Sequence, residues 1–383
     1  MISALDLKGP VYDPGGYAEV TRSLALAFHR LGVKVHLQRH PWDFVRTNLP
    51  ENWQKALAEM LATPPGAGPF LQIGVPDDFR KDPLRFSIGL TMLETDRICA
   101  DWVRKCNEMD EIWVPSTFNW HTFTASGVDP AKIKVMPLGV DAARFRPEAA
   151  PLPIPGKRGF TFLANFEWNL RKGYDLLLLA FAQEFDPREE VCLVLKTLQN
   201  GPSFDPDGSS IRHEIEQFLH RLGKKATAPI ILIPQVLAAG QMPSLYTAAD
   251  CYVLPTRGEG WNLTILEAMA SALPVITTRW SAPLDYLTPA NSFLIPSTGL
   301  EPVPAIDRWR DKIYAGSCWA KPSLAATRRL MRLVFTNPAL ARERGRRARA
   351  DVLSRFTWEA AATRMLRKLE EIGCGPRQLE NEY

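Results

Sequence analysis

Short apolar runs alternate with amphipathic helical patterns along the 383 residues of this chain. In the first half, the apolar runs predict strands at residues 2–7, 33–38, 70–75, 86–92, 111–114 and 133–138. In the second half, they predict strands at residues 160–166, 191–195, 230–233, 251–254 and 275–277. Helical periodicity separates these runs, for example at residues 17–31, 100–107 and 174–185. Strands that alternate with helices imply right-handed crossovers, so we predict an α/β chain built on parallel sheets.

A proline-rich stretch at residues 146–159 interrupts this alternation. It shows little periodicity and contains Pro147, Pro151, Pro153, Pro155 and Gly156. Such a composition is typical of a linker, and 383 residues exceed what one hydrophobic core usually holds. We therefore predict two doubly wound, Rossmann-like α/β domains, residues 1–150 and 151–357. Sheets of this kind bind ligands at the carboxyl ends of their strands.

The composition is that of a folded, water-soluble chain, with 46% hydrophobic and 23% charged residues. No apolar run approaches the ~18–20 residues that cross a bilayer. The N-terminus lacks the basic start and long apolar stretch of a signal peptide. The six cysteines show no C-x-x-C spacing, which favours reduced thiols over disulfides or a zinc site. We therefore expect a cytoplasmic protein.

Basic residues are unevenly distributed, although the net charge is only +4. Five arginines crowd one segment near the C-terminus: Arg342, Arg344, Arg346, Arg347 and Arg349. A solvated helix face is the favoured interpretation, and a weak attraction to anionic lipid head groups or to a polyanionic acceptor is the alternative. No aromatic residues interleave with these arginines, so we expect no nucleic-acid partner. Peripheral contact with the inner face of the cytoplasmic membrane therefore stays open.

The most informative segment is the glycine-rich turn that follows the tenth predicted strand. Gly258 and Gly260 flank Glu259, and glycine lets the backbone take unusual angles and approach a ligand closely. A helix that starts near Trp261 would direct its first amide groups and the positive end of its dipole to the same point, which suits a diphosphate. Glu267 lies about two turns further on, roughly 9 Å along the axis at 1.5 Å per residue. The two glutamates can therefore contact different parts of one extended anionic ligand.

Packing explains only part of this segment. The helical pattern directs Leu263, Leu266 and Met269 toward a core, but it accounts for neither glutamate and neither glycine. The pair Glu259 and Glu267, with P-x-x-G-E-G-W and L-E-A-M-A around it, resembles the E-x₇-E signature of retaining glycosyltransferases of family 4, the glycosyl transferases group 1, which have the GT-B fold. Further family phrases, which support the fold more than the chemistry, are found at residues 113–119, 137–141, 246–250 and 274–278.

The resemblance implies two Rossmann-like domains that face each other across a cleft. Residues 1–150 would form the acceptor-side domain, completed by a C-terminal helix at 358–383, and residues 151–357 would bind a nucleotide-sugar. Glu267 would accept hydrogen bonds from the ribose hydroxyls, and Glu259 would hold hydroxyls of the transferred sugar. The backbone amides at the start of the helix would bind the diphosphate, and they belong to Gly260, Trp261 and Asn262.

Two adjacent cations, Arg171 and Lys172, follow the first strand of the second half and precede a helix. At the mouth of a strand they can neutralise the charge that develops on a departing nucleoside diphosphate. The alternative is an exposed, charged turn. Relatives carry a similar Lys-Gly with an arginine several residues earlier, where this chain has Glu167, so Arg171 is expected to replace that arginine.

Three weaker candidates complete the donor site. Gly15 and Gly16 follow the first strand and open the first helix, and the corresponding loop of the family faces the donor. Lys196 ends the strand after the helix 174–185 and points to the same rim, with its role left open. Val236 lies where relatives hold the nucleotide base through backbone groups.

Glu94 follows a strand of the first half, near a position where many relatives have a histidine close to the sugar. A carboxylate there can orient acceptor hydroxyls or stabilise positive charge on a sugar, and it can equally form an ion pair with Arg97. The six histidines show no metal-binding spacing. We therefore expect no metal and no cofactor beside the nucleotide-sugar substrate.

The sequence thus predicts a metal-independent, retaining glycosyltransferase. It would move a hexose from GDP-mannose or a UDP-hexose to a saccharide or lipid-linked saccharide acceptor, in polysaccharide or glycoconjugate synthesis. One alternative is a glycosyltransferase-like binding or scaffold subunit without catalysis, which the unusual Glu94 and Glu167 leave open. Another is a nucleotide-sugar epimerase on the same fold, although the histidine pattern does not suggest it.

Overall fold

The computed structural model describes residues 2–42, 45–199, 204–223 and 226–372, and the chain divides into two compact units. Unit 1 comprises Met1–Gly139, Pro302–Cys318 and Phe356–Tyr383. Unit 2 comprises Val140–Glu301 and Trp319–Arg355. The sequence placed the domain boundary at residue 150 and assigned residues 302–318 to the second domain. In the structure the boundary lies at residue 139, and residues 302–318 belong to unit 1.

Unit 1 is built on a six-stranded sheet whose neighbouring strands are all parallel. Its strands are β1 (Ala4–Gly9), β2 (Lys34–Arg39), β3 (Phe70–Ile73), β4 (Ser87–Leu90), β5 (Glu111–Val114) and β6 (Ile133–Val135). Its first helices are α1 (Gly16–Arg30), α2 (Glu51–Ala62), α3 (Ala100–Glu108) and α4 (Thr117–Ser126). The strand order is β2-β1-β3-β4-β5-β6, so the direction of winding reverses between β1 and β3.

Unit 2 repeats this architecture with a second six-stranded parallel sheet. Its strands are β7 (Phe160–Glu167), β8 (Val191–Leu198), β9 (Ile230–Ile233), β10 (Cys251–Leu254), β11 (Val275–Thr278) and β12 (Phe293–Ile295). The helices between them are α5 (Tyr174–Glu184), α6 (Ser209–Arg221), α7 (Met242–Thr247) and α8 (Leu263–Ala270). The strand order is β12-β11-β10-β7-β8-β9, so the winding reverses between β10 and β7.

The remaining elements follow the second sheet. They are β13 (Ser297–Pro302), which pairs with β14 (Cys318–Pro322), and the helices α9 (Arg308–Ile313), α10 (Leu324–Thr336), α11 (Pro338–Arg355) and α12 (Trp358–Glu371). Within unit 1, α12 packs on α1, and Ile313 with Tyr314 joins the core around Trp102 and Phe123. Residues 373–383 of the predicted C-terminal helix lie outside the described residues.

Hydrophobic burial explains why the apolar runs became strands. Both faces of a parallel sheet are covered by helices, so its strands read as nearly continuous apolar runs. β8 is buried along its whole length, and Leu71, Leu163 and Val253 have no exposed surface. Every predicted strand is present with ends within three residues, and the predicted α/β class with parallel sheets is confirmed. β12, β13 and β14 were not predicted.

The arginine run lies on α11, and its members have different environments. Arg344 Nη1 donates to the carbonyl oxygen of Ser292 at 2.9 Å, and Arg349 Nη1 donates to that of Phe145 at 3.2 Å. Arg342 and Arg346 are exposed. Part of the run therefore stabilises unit 2, and part is a solvated face. Over the described residues, no helix is both long enough and apolar enough to pass through a bilayer.

Candidate active site

The candidate site lies where the strand order of unit 2 reverses. β7 and β10 are neighbours, so the turn after β7 and the loop after β10 start side by side at the same edge of the sheet. Doubly wound sheets bind ligands at such a point because the two loops diverge and leave a crevice. The turn carries Arg171 and Lys172, and the loop carries Glu259.

Gly173 allows the turn and the loop to touch. It has a positive φ of 73° and follows the short 3-10 helix Leu170–Lys172. A Cβ atom at this position would lie 2.1 Å from the carbonyl oxygen of Pro255, which is shorter than any normal contact. Only glycine combines this backbone conformation with this approach. The Lys-Gly pair in the sequence is therefore explained: Gly173 lets the turn approach the loop, and Lys172, which precedes it, can then reach the loop.

Arg257 holds the same two segments together. Its guanidinium donates to both carboxylate oxygens of Asp175 at 2.8 Å each and to Glu301 at 2.9 Å. Its backbone amide donates to the carbonyl oxygen of Arg171 at 2.7 Å, and its Nη1 donates to that of Leu170 at 2.7 Å. Such a bidentate pair fixes geometry as well as contributing energy. Sequence reasoning missed Arg257, although it lies beside the glycine turn.

Glu259 is the centre of the site. Lys172 Nζ donates to both of its carboxylate oxygens at 2.8 Å, and Arg171 Nη1 lies 3.1 Å from Oε2. Thr256 Oγ1 donates to Oε1 at 2.8 Å, and the Glu259 amide donates to Ser281 Oγ at 3.0 Å. The Glu259 side chain is 4% exposed. Glu259, Arg171 and Lys172 thus form one buried ion cluster, which the sequence had treated as separate contacts to a ligand.

The electrostatics of this cluster favour the ionised carboxylate. Burial by itself raises the pKa of Glu259, but the charges of Lys172 and Arg171 and the hydrogen bonds from Lys172 and Thr256 outweigh it, so the pKa lies below its usual value. The three-residue cluster thus contains two cations and one anion. Arg257, with Asp175 and Glu301, adds one more cation and two more anions to the same two segments.

The start of α8 differs from the prediction. The residue with a left-handed backbone is Asn262, with φ 78°, and neither Gly258 nor Gly260 has a positive φ. Asparagine tolerates this conformation better than most residues. The helix begins at Leu263, two residues after Trp261, near which the sequence placed its start, and Asn262 caps it by accepting a hydrogen bond from the Ile265 amide at 2.9 Å. The expectation that the two glycines supply the unusual backbone angles was wrong.

Glu267 lies half-buried on α8 and is held by a chain of two hydrogen bonds, whose donors sequence reasoning missed. Tyr246 Oη donates to Glu267 Oε2 at 2.5 Å, and Asn165 Nδ2 donates to Tyr246 Oη at 3.0 Å. Burial, followed by the charge of Glu267, raises the pKa of Tyr246 well above its ordinary value. The phenol therefore stays a proton donor and orients the carboxylate. The phrase 246–250 contains Tyr246, but sequence reasoning used it as support for the fold rather than for the chemistry.

Two further predicted residues also belong to this end of unit 2. Lys196 is buried near the carboxyl end of β8, and burial lowers the pKa of its ammonium group to about 8. Val236 is half-buried in the segment that follows β9. The structure thus brings Arg171, Lys172, Glu259 and Asn262 together around the loop after β10, with Glu267 on the helix that follows.

The region that contains this site is similar to known proteins. Residues 157–302, which include Glu259 and Glu267, match the sequence model of the family described as Glycosyl transferases group 1. The resemblance inferred from the E-x₇-E spacing is therefore confirmed.

A curated relative extends the group 1 match beyond this region. The D-inositol 3-phosphate glycosyltransferase of Segniliparus rotundus is 28% identical over 294 residues, which cover 74% of this chain and 55% of that protein. The chain thus spans about half the length of this relative.

Solved structures show the same fold. Sucrose-phosphate synthase from Thermosynechococcus elongatus superposes with a TM-score of 0.68 at 17% identity, covering 97% of this chain and 99% of that chain. HepE of Anabaena, solved in complex with UDP-glucose, gives a TM-score of 0.66 at 13% identity, covering 96% of this chain and 99% of that chain. This likeness establishes the GT-B fold, as the sequence predicted.

Three of the predicted site residues lie in unit 1, namely Gly15, Gly16 and Glu94. Gly15 is the N-cap of α1 and donates its amide hydrogen to Asp13 Oδ1 at 2.6 Å, and Gly16 is the first helical residue. Glu94 Oε2 accepts a hydrogen bond from Tyr314 Oη at 3.0 Å. The suggested ion pair between Glu94 and Arg97 is not present, since Arg97 approaches Asp96 at 3.4 Å instead.

The close approach at Gly173 can be tested by Gly173→Ala. We expect this variant to lose more than about 2 kcal/mol of unfolding free energy, because the methyl group adds a clash with Pro255 to the cost of a positive φ. Gly223→Ala is the matched control, since Gly223 has φ +67° with open space around its Cβ position. It should lose only about 1 kcal/mol. Equal losses in urea unfolding of the two variants would contradict the contact.

The ion cluster predicts a pH-dependent stability. Because the folded-state pKa of Glu259 is lowered, its contribution is complete above the unfolded pKa and is lost as the pH falls through the folded pKa. We expect Glu259→Gln to unfold about 2–4 kcal/mol more easily at neutral pH. The difference from the wild type should shrink below about pH 4.5, where the unfolded carboxyl group becomes protonated. Urea unfolding across pH measures this, and a constant difference would refute the role of the ionised carboxylate.

Proposed function

We propose that this protein is a retaining glycosyltransferase that moves a hexose from a nucleotide-sugar to a saccharide or lipid-linked saccharide acceptor. The observation that carries the proposal is the cationic cluster of Arg171, Lys172 and Glu259 at the point where the strand order reverses. The relative from Segniliparus rotundus is named a glycosyltransferase, and HepE was solved with UDP-glucose. Both support a nucleotide-sugar as the donor.

The diphosphate of the donor would bind in front of β7 and β10. Arg171 grips phosphate oxygens with a planar, multidentate group, and Lys172 supplies a compact charge. The start of α8 adds the positive end of a helix dipole and the amides of residues 260–262. A diphosphate would therefore contact both cationic side chains of the cluster and the start of α8.

The ribose would bind to Glu267. A carboxylate accepts hydrogen bonds and donates none when ionised, so it suits the two neighbouring hydroxyls of a ribose. Tyr246 fixes the orientation of Glu267 through the 2.5 Å hydrogen bond, which lowers the entropy lost when a ligand binds. Glu267 lies about one turn of helix beyond the start of α8 at Leu263, so the ribose would bind next to the diphosphate.

The donor sugar would lie near Glu259, with GDP-mannose or a UDP-hexose as the donor. The acceptor oxygen would attack the anomeric carbon on the face from which the diphosphate departs, so the configuration is retained. The acceptor proton would pass to a phosphate oxygen, and the nucleoside diphosphate would leave. Lys172 and Arg171 would stabilise the charge that grows on this leaving group, which lowers the barrier because the interaction is strongest in the transition state.

The acceptor would bind to unit 1, where Gly15, Gly16 and Glu94 are the candidate contacts. Tyr314 holds Glu94 in place, so Glu94 can orient an acceptor hydroxyl. The product would belong to a polysaccharide or glycoconjugate assembled on the cytoplasmic side. The exposed Arg342 and Arg346 would provide peripheral contact with an anionic membrane surface.

Glu267→Gln tests the donor site. Glutamine keeps one oxygen for Tyr246, so the fold is preserved, but it removes the charge that binds the ribose hydroxyls. We expect calorimetric affinity for the nucleotide-sugar and for the free nucleoside diphosphate to fall alike, by about tenfold or more. Glu216→Gln, an exposed change on α6, should leave both affinities as they are.

The titration uses GDP-, UDP- and ADP-sugars with their diphosphates. Unchanged affinities in Glu267→Gln would remove the ribose assignment. If the wild type binds no nucleotide, the scaffold alternative replaces the enzyme.

Lys172→Met tests stabilisation of the leaving group. We expect kcat to fall by about 10²- to 10³-fold. This is the usual effect of removing one hydrogen-bond donor that stabilises the charge of the transition state. Because Lys172→Met also leaves Glu259 with fewer partners, the double variant Lys172→Met with Glu259→Gln serves as a second measurement. It should melt closer to the wild type than the single variant and remain slow. Wild-type turnover in a folded Lys172→Met variant would disprove the role.

A further inference from the structure

Lys196 is a buried cation for which the described part of unit 2 provides no counter-charge. The residue is 5% exposed near the carboxyl end of β8. Within residues 2–42, 45–199, 204–223 and 226–372, no hydrogen bond and no ion pair reaches its ammonium group. In this it differs from Lys172, which has Glu259 within 2.8 Å.

A structural role does not explain this charge. Lysine is almost never buried unless it is paired, because removing an ammonium group from water is costly. Burial lowers the pKa of Lys196 to about 8, so the charged form still predominates at neutral pH. Methionine would fill the same space without this cost. The ammonium nitrogen is not among the fully buried polar atoms of the described residues, so a ligand can reach this charge.

The neighbours of Lys196 relate it to Glu267. In the parallel ladder, Lys196 is the register partner of Asn165 on β7, and register partners project to the same face of the sheet. Asn165 donates to Tyr246, and Tyr246 donates to Glu267. Lys196 thus lies one strand beyond the chain of hydrogen bonds that orients the carboxylate of Glu267.

The order of the strands places Lys196 away from the phosphate site. Arg171 and Lys172 stand where β10 and β7 end, and β8 follows β7 on the other side. With about 4.8 Å between strands, β8 lies about 10 Å from β10. In a nucleotide the ribose separates the diphosphate from the base. With the diphosphate at β10 and β7 and the ribose at Glu267, the group that extends toward β8 is the base.

We propose that the ammonium group of Lys196 donates a hydrogen bond to the exocyclic carbonyl oxygen at position 6 of a purine, or position 4 of a pyrimidine, in the donor nucleotide. This inference rests on the proposed function and adds the class of base. An ammonium group has three donors and no acceptor. It therefore favours guanine and uracil, which carry an oxygen at these positions, over adenine and cytosine, which carry an amino group.

Paired nucleotides test this selection. Inosine diphosphate and ADP differ at position 6 of the purine, and UDP and CDP differ at position 4 of the pyrimidine. For the wild type, we expect calorimetry to give about tenfold or more tighter binding of the oxo member of at least one pair. In Lys196→Met that preference should fall to near one, through weaker binding of the oxo member. Lys321→Met, an exposed change in the same unit, should keep the wild-type preference.

The outcomes separate this inference from the proposed function. Lys196→Met should melt no lower than the wild type, because it removes an uncompensated buried charge, so a loss of preference cannot be assigned to unfolding. Equal weakening of both members of each pair would place Lys196 on the phosphates and overturn the proposal. Unchanged affinities, or a wild type without preference, would overturn it too, while Glu267→Gln would still report on the ribose site. Failure of the wild type to bind any nucleotide would instead refute both.

Discussion

The candidate site depends on the approach of two backbone segments that are far apart in the sequence. The turn that ends at Gly173 and the loop that begins at Pro255 come so close that a Cβ atom at residue 173 would lie 2.1 Å from a carbonyl oxygen. Arg257 then fastens the two segments with hydrogen bonds to Asp175 and to the backbone of the turn. The Lys172–Glu259 ion pair exists only because this approach is fixed, since a displacement of about 1 Å would break hydrogen bonds of 2.8 Å.

Two buried charges of unit 2, those of Glu259 and Lys196, differ in whether the described residues compensate them. Glu259 is ionised because two cations and a hydroxyl compensate the cost of burial. Lys196 carries its charge without compensation from the described residues, and its lowered pKa reflects that cost. A paired charge holds a geometry, whereas an uncompensated one stores free energy that a complementary ligand can release. The first kind suits the preorganisation of a reacting centre and the second suits selection among ligands.

Much of this architecture was predictable because local sequence determines it. Strands buried on both faces must be apolar along their length, so the runs at residues 191–195 and 251–254 revealed the sheet of unit 2. The two glutamates and the two adjacent cations were found because charged residues beside glycine turns at strand ends have few structural explanations. The contact between them was not found, because Lys172 and Glu259 are 87 positions apart and no periodic pattern records such a pairing.

Other errors also have physical causes. Unusual backbone angles were expected at Gly258 and Gly260, but the residue of this loop with a left-handed backbone is Asn262, whose side chain also caps α8. Residues 302–318 were assigned to the second domain because a single boundary in the sequence cannot describe a chain that returns to the first unit. There, Ile313 and Tyr314 pack in the core of unit 1. Tyr246 was not singled out because an aromatic residue on an apolar helix usually packs in the core.

The ion cluster bears on the proposed chemistry. Lys172 Nζ is held against Glu259 at 2.8 Å, so its flexible side chain has little conformational freedom left to lose. Forming a new contact with a diphosphate would then cost little additional entropy. In the proposed reaction, negative charge would move onto the leaving diphosphate, and the attraction of Lys172 to that group would grow while its attraction to Glu259 stays constant. Lys172 would therefore favour the later stage of the reaction over the earlier one, which is the condition for an interaction to accelerate the chemical step.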